Sequence, residues 1–361
     1  MQIRTTKLQE MMAKAIKGVG NNKQIPLTSL LSLEVKEGKL TIITTDATNY
    51  LYMQDTLDGS DEDFYVVVQA DLFAKLIARM TSDTITLTIV NGNLEVKGNG
   101  TYTIPVILDD DTGEMLKYPD PAHAKNFDKE IGELSVDNVK TILTALKPAL
   151  ATTSEMPQYK NYYVGDGVMA TDTFKIGYLP ISVFETPRLL SAELVDLLDV
   201  MTDTIKVMTN GEDRLLFVTD NALVYGPAMY GIENYQVDAI KAYINRDYPS
   251  KCKVSKVALL QLIDRLSLFV NEVVDDGVVQ IVFTQDGLQV LSNLSSGVET
   301  VPYIACDSLE DSVDGSIYLE MLRSQVKAQT GDSAEIWFGD EKSIKLTDEN
   351  NGVVAVCGLV Q

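Results

Sequence analysis

The feature that most constrains this 361-residue chain is a pattern that returns at domain-sized intervals. Residues 37–46 (EGKLTIITTD), residues 164–180 around Ala170-Thr171-Asp172, and residues 286–293 (DGLQVLSN) share one reading. Each is a Gly-containing turn, an alternating apolar strand and a Ser/Thr-rich exit closed by Asp or Asn. Asp46 and Asp172 are 126 residues apart, Asp172 and Asn293 121. A period of that length is one domain, so a single way of burying apolar surface is expected to be used three times, over residues 1–120, 121–249 and 250–361.

The rest of the chain fits that division. Residues 6–17 place Leu8, Met11, Met12, Ala15 and Ile16 on one helical stripe, and residues 70–80 form a second amphipathic helix. Strands are expected at 30–35, 40–44, 64–68, 84–90, 93–96 and 101–106, with Asn91-Gly92 as a tight turn. Asp109-Asp110-Asp111 and Tyr118-Pro119-Asp120-Pro121 read as an exposed linker. Helices at 136–146 and 191–201, then at 254–269 and 318–328, recur between further strands. The expected fold class is α+β, with three similar domains of two helices packed on antiparallel sheets.

Thirty basic residues stand against 52 acidic ones, for a net charge of −22. A chain coated by nucleic acid is excluded on that balance, whereas segregated charge is not. Cys252, Cys306 and Cys357 follow no metal or redox spacing and suit a reducing cytosol. No apolar run is long enough for a membrane span and Met1-Gln2-Ile3-Arg4 opens no signal peptide, so a cytoplasmic protein is expected.

The cations cluster by helical face. Lys7, Lys14 and Lys17 share one side of the first helix, and Lys75 and Arg79 one side of the second. Lys140 and Lys147, Lys253 and Lys256, and Arg323 and Lys327 repeat the arrangement. If those faces line a common surface with carboxylates directed away, that surface suits a phosphate backbone held without base readout. It lacks the interleaved aromatics that single-stranded bases require.

The three-unit order, the helix pairs and the stretch ATD-x-x-K-I-x-x-x-P resemble the bacterial β-type DNA polymerase sliding clamps. That resemblance implies clamp (processivity-fold) domains closing head to tail as a homodimer into a ring. The ring would encircle duplex DNA without sequence specificity and tether DNA polymerase and clamp loader through short peptide motifs. Where the family has His-Arg-Leu, this chain has Phe174, Lys175 and Ile176; where it ends Met-Pro-Met-Arg-Leu, this chain has Ala355-Val356-Cys357-Gly358-Leu359 before Val360 and Gln361. Such drift fits a clamp serving a phage or another divergent replicon. By the same matching, a peptide groove is expected from Tyr159, Thr171, Thr173, Phe174, Ile176, Tyr318, Val356 and Leu359, with Lys175 at its rim. Lys23 corresponds to a DNA-reaching loop cation, and Tyr102, Ile104, Leu268 and Phe269 to the subunit contact.

Two rivals are weaker. An enzyme would need a constellation that is missing: His123 stands alone in the linker, and no P-loop, dinucleotide fingerprint or H-E-x-x-H is present. Asp109-Asp110-Asp111 lacks the spacing of a calcium loop, so neither metal nor cofactor is expected. Met11, Met12 and the lone Trp337 read as core. A non-enzymatic three-domain scaffold explains the repeat but leaves the basic faces without purpose.

Overall fold

The computed structural model describes residues 1–57, 63–124, 126–153, 155–211, 213–270, 277–292, 297–307, 309, 312–340 and 342–360. They form two compact units, one of residues 1–139 and 193–228, the other of 140–192 and 229–361. The central third of the chain therefore gives strands to both.

In the first unit an eight-stranded antiparallel sheet runs in the order Phe64–Gln69, Leu30–Lys36, Lys39–Thr45, Tyr50–Thr56, Ala222–Pro227, Arg214–Val218, Thr204–Thr209, Lys129–Ser135. Its join is the ladder that sets Tyr52 opposite Leu223 and Met53 opposite Ala222. A smaller sheet orders Gln2–Arg4, Thr84–Val90, Asn93–Lys97 and Thr101–Pro105. The second unit repeats the plan. Its nine-stranded sheet runs Arg188–Ser191, Asn161–Val164, Val168–Thr171, Lys175–Leu179, Val354–Gly358, Ser343–Thr347, Ser333–Asp340, Ser250–Ser255, Tyr303–Cys306. A four-stranded sheet orders Val298–Val301, Leu288–Ser292, Val278–Phe283 and Val313–Tyr318.

The helix Thr5–Ala15 buries Leu8, Met11, Met12 and Ala15 as its periodicity predicts, and packs against the helix Ala70–Ala78. A short 3-10 turn, Ile16–Gly18, ends it against the sheet. Thr44 donates its hydroxyl to the Ala15 carbonyl at 2.8 Å, and a Cβ on Gly18 would lie 2.3 Å from Thr44 Oγ1 and 2.8 Å from Leu51 Cβ. Only hydrogen fits there. Gly18→Ala is expected to lose about 1–3 kcal/mol, the usual cost of overpacking a filled core, read as a lower urea midpoint with unchanged slope. An unchanged midpoint would show that this contact yields without cost. The helices Lys256–Leu266 and Leu319–Ala328 pack together in the same way in the second unit.

Several expectations need correction. Tyr118, read as exposed linker, is buried: its hydroxyl donates to the Leu30 carbonyl at 3.1 Å and its N–H donates to the Tyr65 hydroxyl at 2.7 Å. A polar, Pro-flanked stretch can still supply one aromatic whose polar ends are both paired. Trp337 is not core, because strand alternation turns Ile336 and Phe338 inward and leaves Trp337 half-buried between Lys251 and Lys345. Lys253 belongs to the strand Ser250–Ser255 rather than to the following helix. His123 is exposed on a short helix, Pro121–Ala124, with Nδ1 2.9 Å from Asp120. Asp109 accepts bonds from the Thr112 and Asp111 amides and the Thr112 hydroxyl, and those bonds hold its carboxyl below the usual range. Its oxygens thus serve the turn.

Candidate functional site

The repeated Thr-Asp turn positions the site. At 45–49, the Thr45 hydroxyl donates to the Asn49 carbonyl at 2.6 Å while Asp46 Oδ1 accepts from the Thr48 and Asn49 amides at 2.8 and 2.7 Å. At 171–175 the same bonds recur: Thr171 to the Lys175 carbonyl at 2.7 Å, and the Phe174 and Lys175 amides to Asp172 Oδ1 at 3.0 and 2.9 Å. The residue after each Asp, Ala47 or Thr173, takes a left-handed φ of 82° or 81°. In both copies the side chains of Thr and Asp satisfy the loop's own backbone, so the remaining side chains are free to point outward. Asn293, closing the third copy in sequence, lies outside the described residues; Ser292 Oγ accepts from the Gly297 amide at 3.0 Å.

The second turn displays Phe174, 67% exposed, at the edge of a pocket of about 220 Å³ in the second unit. Tyr159, Thr171, Thr173, Phe174, Ile176 and Val356 line it, six of the nine groove residues expected from sequence. Ile176 and Val356 sit opposite each other across the ladder and share a face. That register explains one correction: Lys175 pairs with Cys357 on the other face, its ammonium 3.3 Å from Asp172, so it does not line the pocket. Tyr318 and Leu359 are also outside the lining. Tyr318 stands at the N-cap of Leu319–Ala328, and Leu359 packs onto Gly315.

Gln236 and the helix Val237–Ile244, the latter through Ala239, Ile240 and Tyr243, supply the remaining wall, with Lys342, Ser343 and Gly358. Sequence reasoning missed that helix. Eight residues are too few for a periodic window, although Val237, Ile240 and Ile244 already follow helical spacing. Its attachments are specific. Lys241 pairs with Asp166 at 2.7 Å, a bond that raises the lysine pKa. At the other end Lys345 donates to the Ile244 and Arg246 carbonyls at 3.4 and 3.2 Å and lies over the Tyr248 and Trp337 rings at 4.9 and 5.1 Å. Burial lowers the Lys345 pKa. Tyr248 adds a 2.9 Å hydrogen bond to Ser343, itself a pocket residue. Lys345→Met should therefore loosen the wall. The expected result is a loss of about 1–2 kcal/mol in stability and altered emission from Trp337, the lone tryptophan. Emission identical to the parent's would separate Lys345 from this wall.

The pocket is smaller than the roughly 300–1,000 Å³ of drug-sized sites, apolar on its floor and edged by hydroxyls and an amide. It suits the anchor side chains of a peptide better than a reacting small molecule. Among the described residues no group of three or more His, Cys, Asp or Glu could hold a metal.

The basic residues divide. Lys7 pairs with Asp55 at 2.9 Å, Lys17 with Asp199 at 2.8 Å, Lys75 with Asp71 at 2.7 Å and Lys253 with Glu349 at 3.0 Å. Arg323 meets Glu320 at 2.8 Å and Asp264 at 3.4 Å, and Lys256 donates to the Gln329 carbonyl. Lys14, Lys23, Arg79 and Lys327 have no ion-pair partner among the described residues; Lys140 and Lys147 are exposed. The expectation of carboxylates directed away from these faces is thus corrected. Asp71 and Glu320 sit one helical turn from their cations, where exposed opposite charges pair.

For the expected subunit contact, Tyr102 is 41% exposed on the edge strand Thr101–Pro105, and Leu268 and Phe269 are 81% and 50% exposed beyond Lys256–Leu266. Ile104 is buried in its own sheet instead.

The fold defines a class. Along its whole length this chain matches solved structures of bacterial clamps, at identities that establish the fold. The β subunit of DNA polymerase from Streptococcus pyogenes aligns with 100% of this chain and 99% of its own, at TM-score 0.85 and 15% identity. The DNA polymerase sliding clamp of Bacillus subtilis covers 100% and 98%, at 0.82 and 16%. DNA polymerase III subunit β of Borrelia burgdorferi, solved with a natural product, covers 100% and 97%, at 0.84 and 16%. The architecture is the sliding-clamp fold, α+β with antiparallel sheets. More particularly, residues 1–115 match the family model of the N-terminal domain of the DNA polymerase III β subunit. No curated protein matches the chain by sequence.

Proposed function

We propose that this protein is a DNA sliding clamp, a replication processivity factor that encircles duplex DNA and tethers a polymerase. The observation that carries this reading is the whole-chain likeness to clamps, which leaves no segment of the fold unaccounted for. It is not an enzyme: its work is topological, since a closed ring leaves DNA only by opening or by passing an end. Two copies of a chain with three clamp domains, at 1–120, 121–249 and 250–361, close head to tail, with Tyr102 meeting Leu268 and Phe269 of the partner copy. The pocket beside Phe174 takes short motifs from polymerase and loader in the cytoplasm of the cell that replicates this DNA.

The paired cations are compatible with weak, mobile DNA contact. Exposed ion pairs such as Lys17–Asp199 contribute about 0–1 kcal/mol, so a phosphate displaces the carboxylate at little cost. Lys14, Lys23, Arg79 and Lys327 are ready for phosphates, while the −22 charge discourages adhesion elsewhere. The test is loading onto nicked circular DNA followed by linearisation. Retention on circles that is lost on cutting supports encirclement. Equal retention on both forms returns the chain to the scaffold reading.

A further inference from the structure

Cys252 and Cys306 are far apart in sequence yet sit directly opposite each other on the antiparallel strands Ser250–Ser255 and Tyr303–Cys306. The neighbouring pair fixes the type of site. Asp307 donates its N–H to the Lys251 carbonyl at 3.0 Å, so Lys251 and Asp307 form the hydrogen-bonded pair and Cys252 and Cys306 the non-hydrogen-bonded one. At such a position the Cα atoms are about 4.5 Å apart and the side chains are at their closest, within the span of roughly 4.4–6.8 Å that a disulfide bridges. Both thiols face the same core: Cys252 belongs to the apolar cluster of the second unit and Cys306 packs against it, half-buried.

We propose that Cys252 and Cys306 form a dithiol site that closes to an intramolecular disulfide, independently of the clamp reading. The oxidant is a small disulfide such as glutathione disulfide. Cys306, the more accessible thiol, loses its proton and attacks one glutathione sulfur. The glutathione S–S bond breaks, one glutathione thiolate leaves and is protonated, and a mixed disulfide remains on Cys306. Cys252 then loses its proton and its sulfur attacks Cys306 Sγ. The second glutathione thiolate leaves, so two protein thiols are oxidised as one glutathione disulfide is reduced to two thiols. Burial raises both thiol pKa values, and the adjacent Asp307 raises that of Cys306 further, so closure is slow at neutral pH and quickens as pH rises.

The structural result is a staple on an edge. Among the described residues Tyr303–Cys306 is the terminal strand of the nine-stranded sheet, paired with one neighbour, and the bridge fastens it covalently to that neighbour. Cys357 stays out of reach in the core on another strand, and burial pushes its thiol up to about 12.

The experiment incubates the reduced full chain with glutathione disulfide at pH 7.0 and pH 8.5 and follows intact mass and non-reducing peptide maps. The expected product has lost two hydrogens, links the Cys252 and Cys306 peptides, leaves Cys357 free, forms faster at the higher pH and unfolds at a higher temperature. C306S should abolish the product and C357S should not; if C252S fails to fold, C306S alone carries the comparison. The proposal is overturned by a mixed glutathione adduct on Cys306 that never closes, by a bridge to Cys357 or to a second copy, or by three free thiols after exposure at pH 8.5.

Discussion

Phe174→Ala should weaken capture of a polymerase-tail peptide by about ten- to a hundredfold while leaving stability within roughly 0.5 kcal/mol of the parent. The two halves of that expectation have separate causes. Phe174 is 67% exposed and held by a turn whose hydrogen bonds come from Thr171 and Asp172, so the fold does not depend on its ring. The ring is, however, the most exposed aromatic among the residues lining the pocket, and aromatic anchors dominate interfaces of this kind. Isothermal titration with the peptide, beside a denaturant midpoint, reads both. Unchanged affinity would move the docking site away from this turn.

Removing residues 356–361 should have a larger effect, of a different kind. The strand Val354–Gly358 is central, paired on one side with Lys175–Leu179 and on the other with Ser343–Thr347. Val356 is buried, and Ala355 and Cys357 are fully so. Truncation would break two ladders and empty the core beneath them, a loss of more than about 5 kcal/mol. The second unit is expected to lose amide-exchange protection throughout while the first keeps its own. A truncated chain with native protection at 161–179 would show that this strand is dispensable.

How much of this was legible depended on whether the signal was local. The helix Thr5–Ala15 announced itself because Leu8, Met11, Met12 and Ala15 fall on one stripe. The Thr-Asp turn was visible because its bonds are made within five residues, so identity and geometry repeat together. By contrast, Lys175 was misplaced because facing is decided by a ladder to Cys357, far along the chain. The wall helix Val237–Ile244 was hidden by its shortness, and Tyr118 by the polar residues around it. The charge expectation failed for a related reason. A helical face can be read from sequence, but the carboxylate that reaches it from elsewhere, such as Asp199 beside Lys17, cannot.

The division of the central third between two sheets has a consequence for biosynthesis. The ladder between Tyr50–Thr56 and Ala222–Pro227 cannot form until the later strand has left the ribosome, and Val354–Gly358 is made after every other strand of its sheet yet belongs mid-sheet. Nascent chains must therefore hold unpaired strand margins until those later strands emerge, a hazard for self-association. The yield of soluble protein should thus respond to elongation speed and to chaperone supply more than to the stability of the finished molecule.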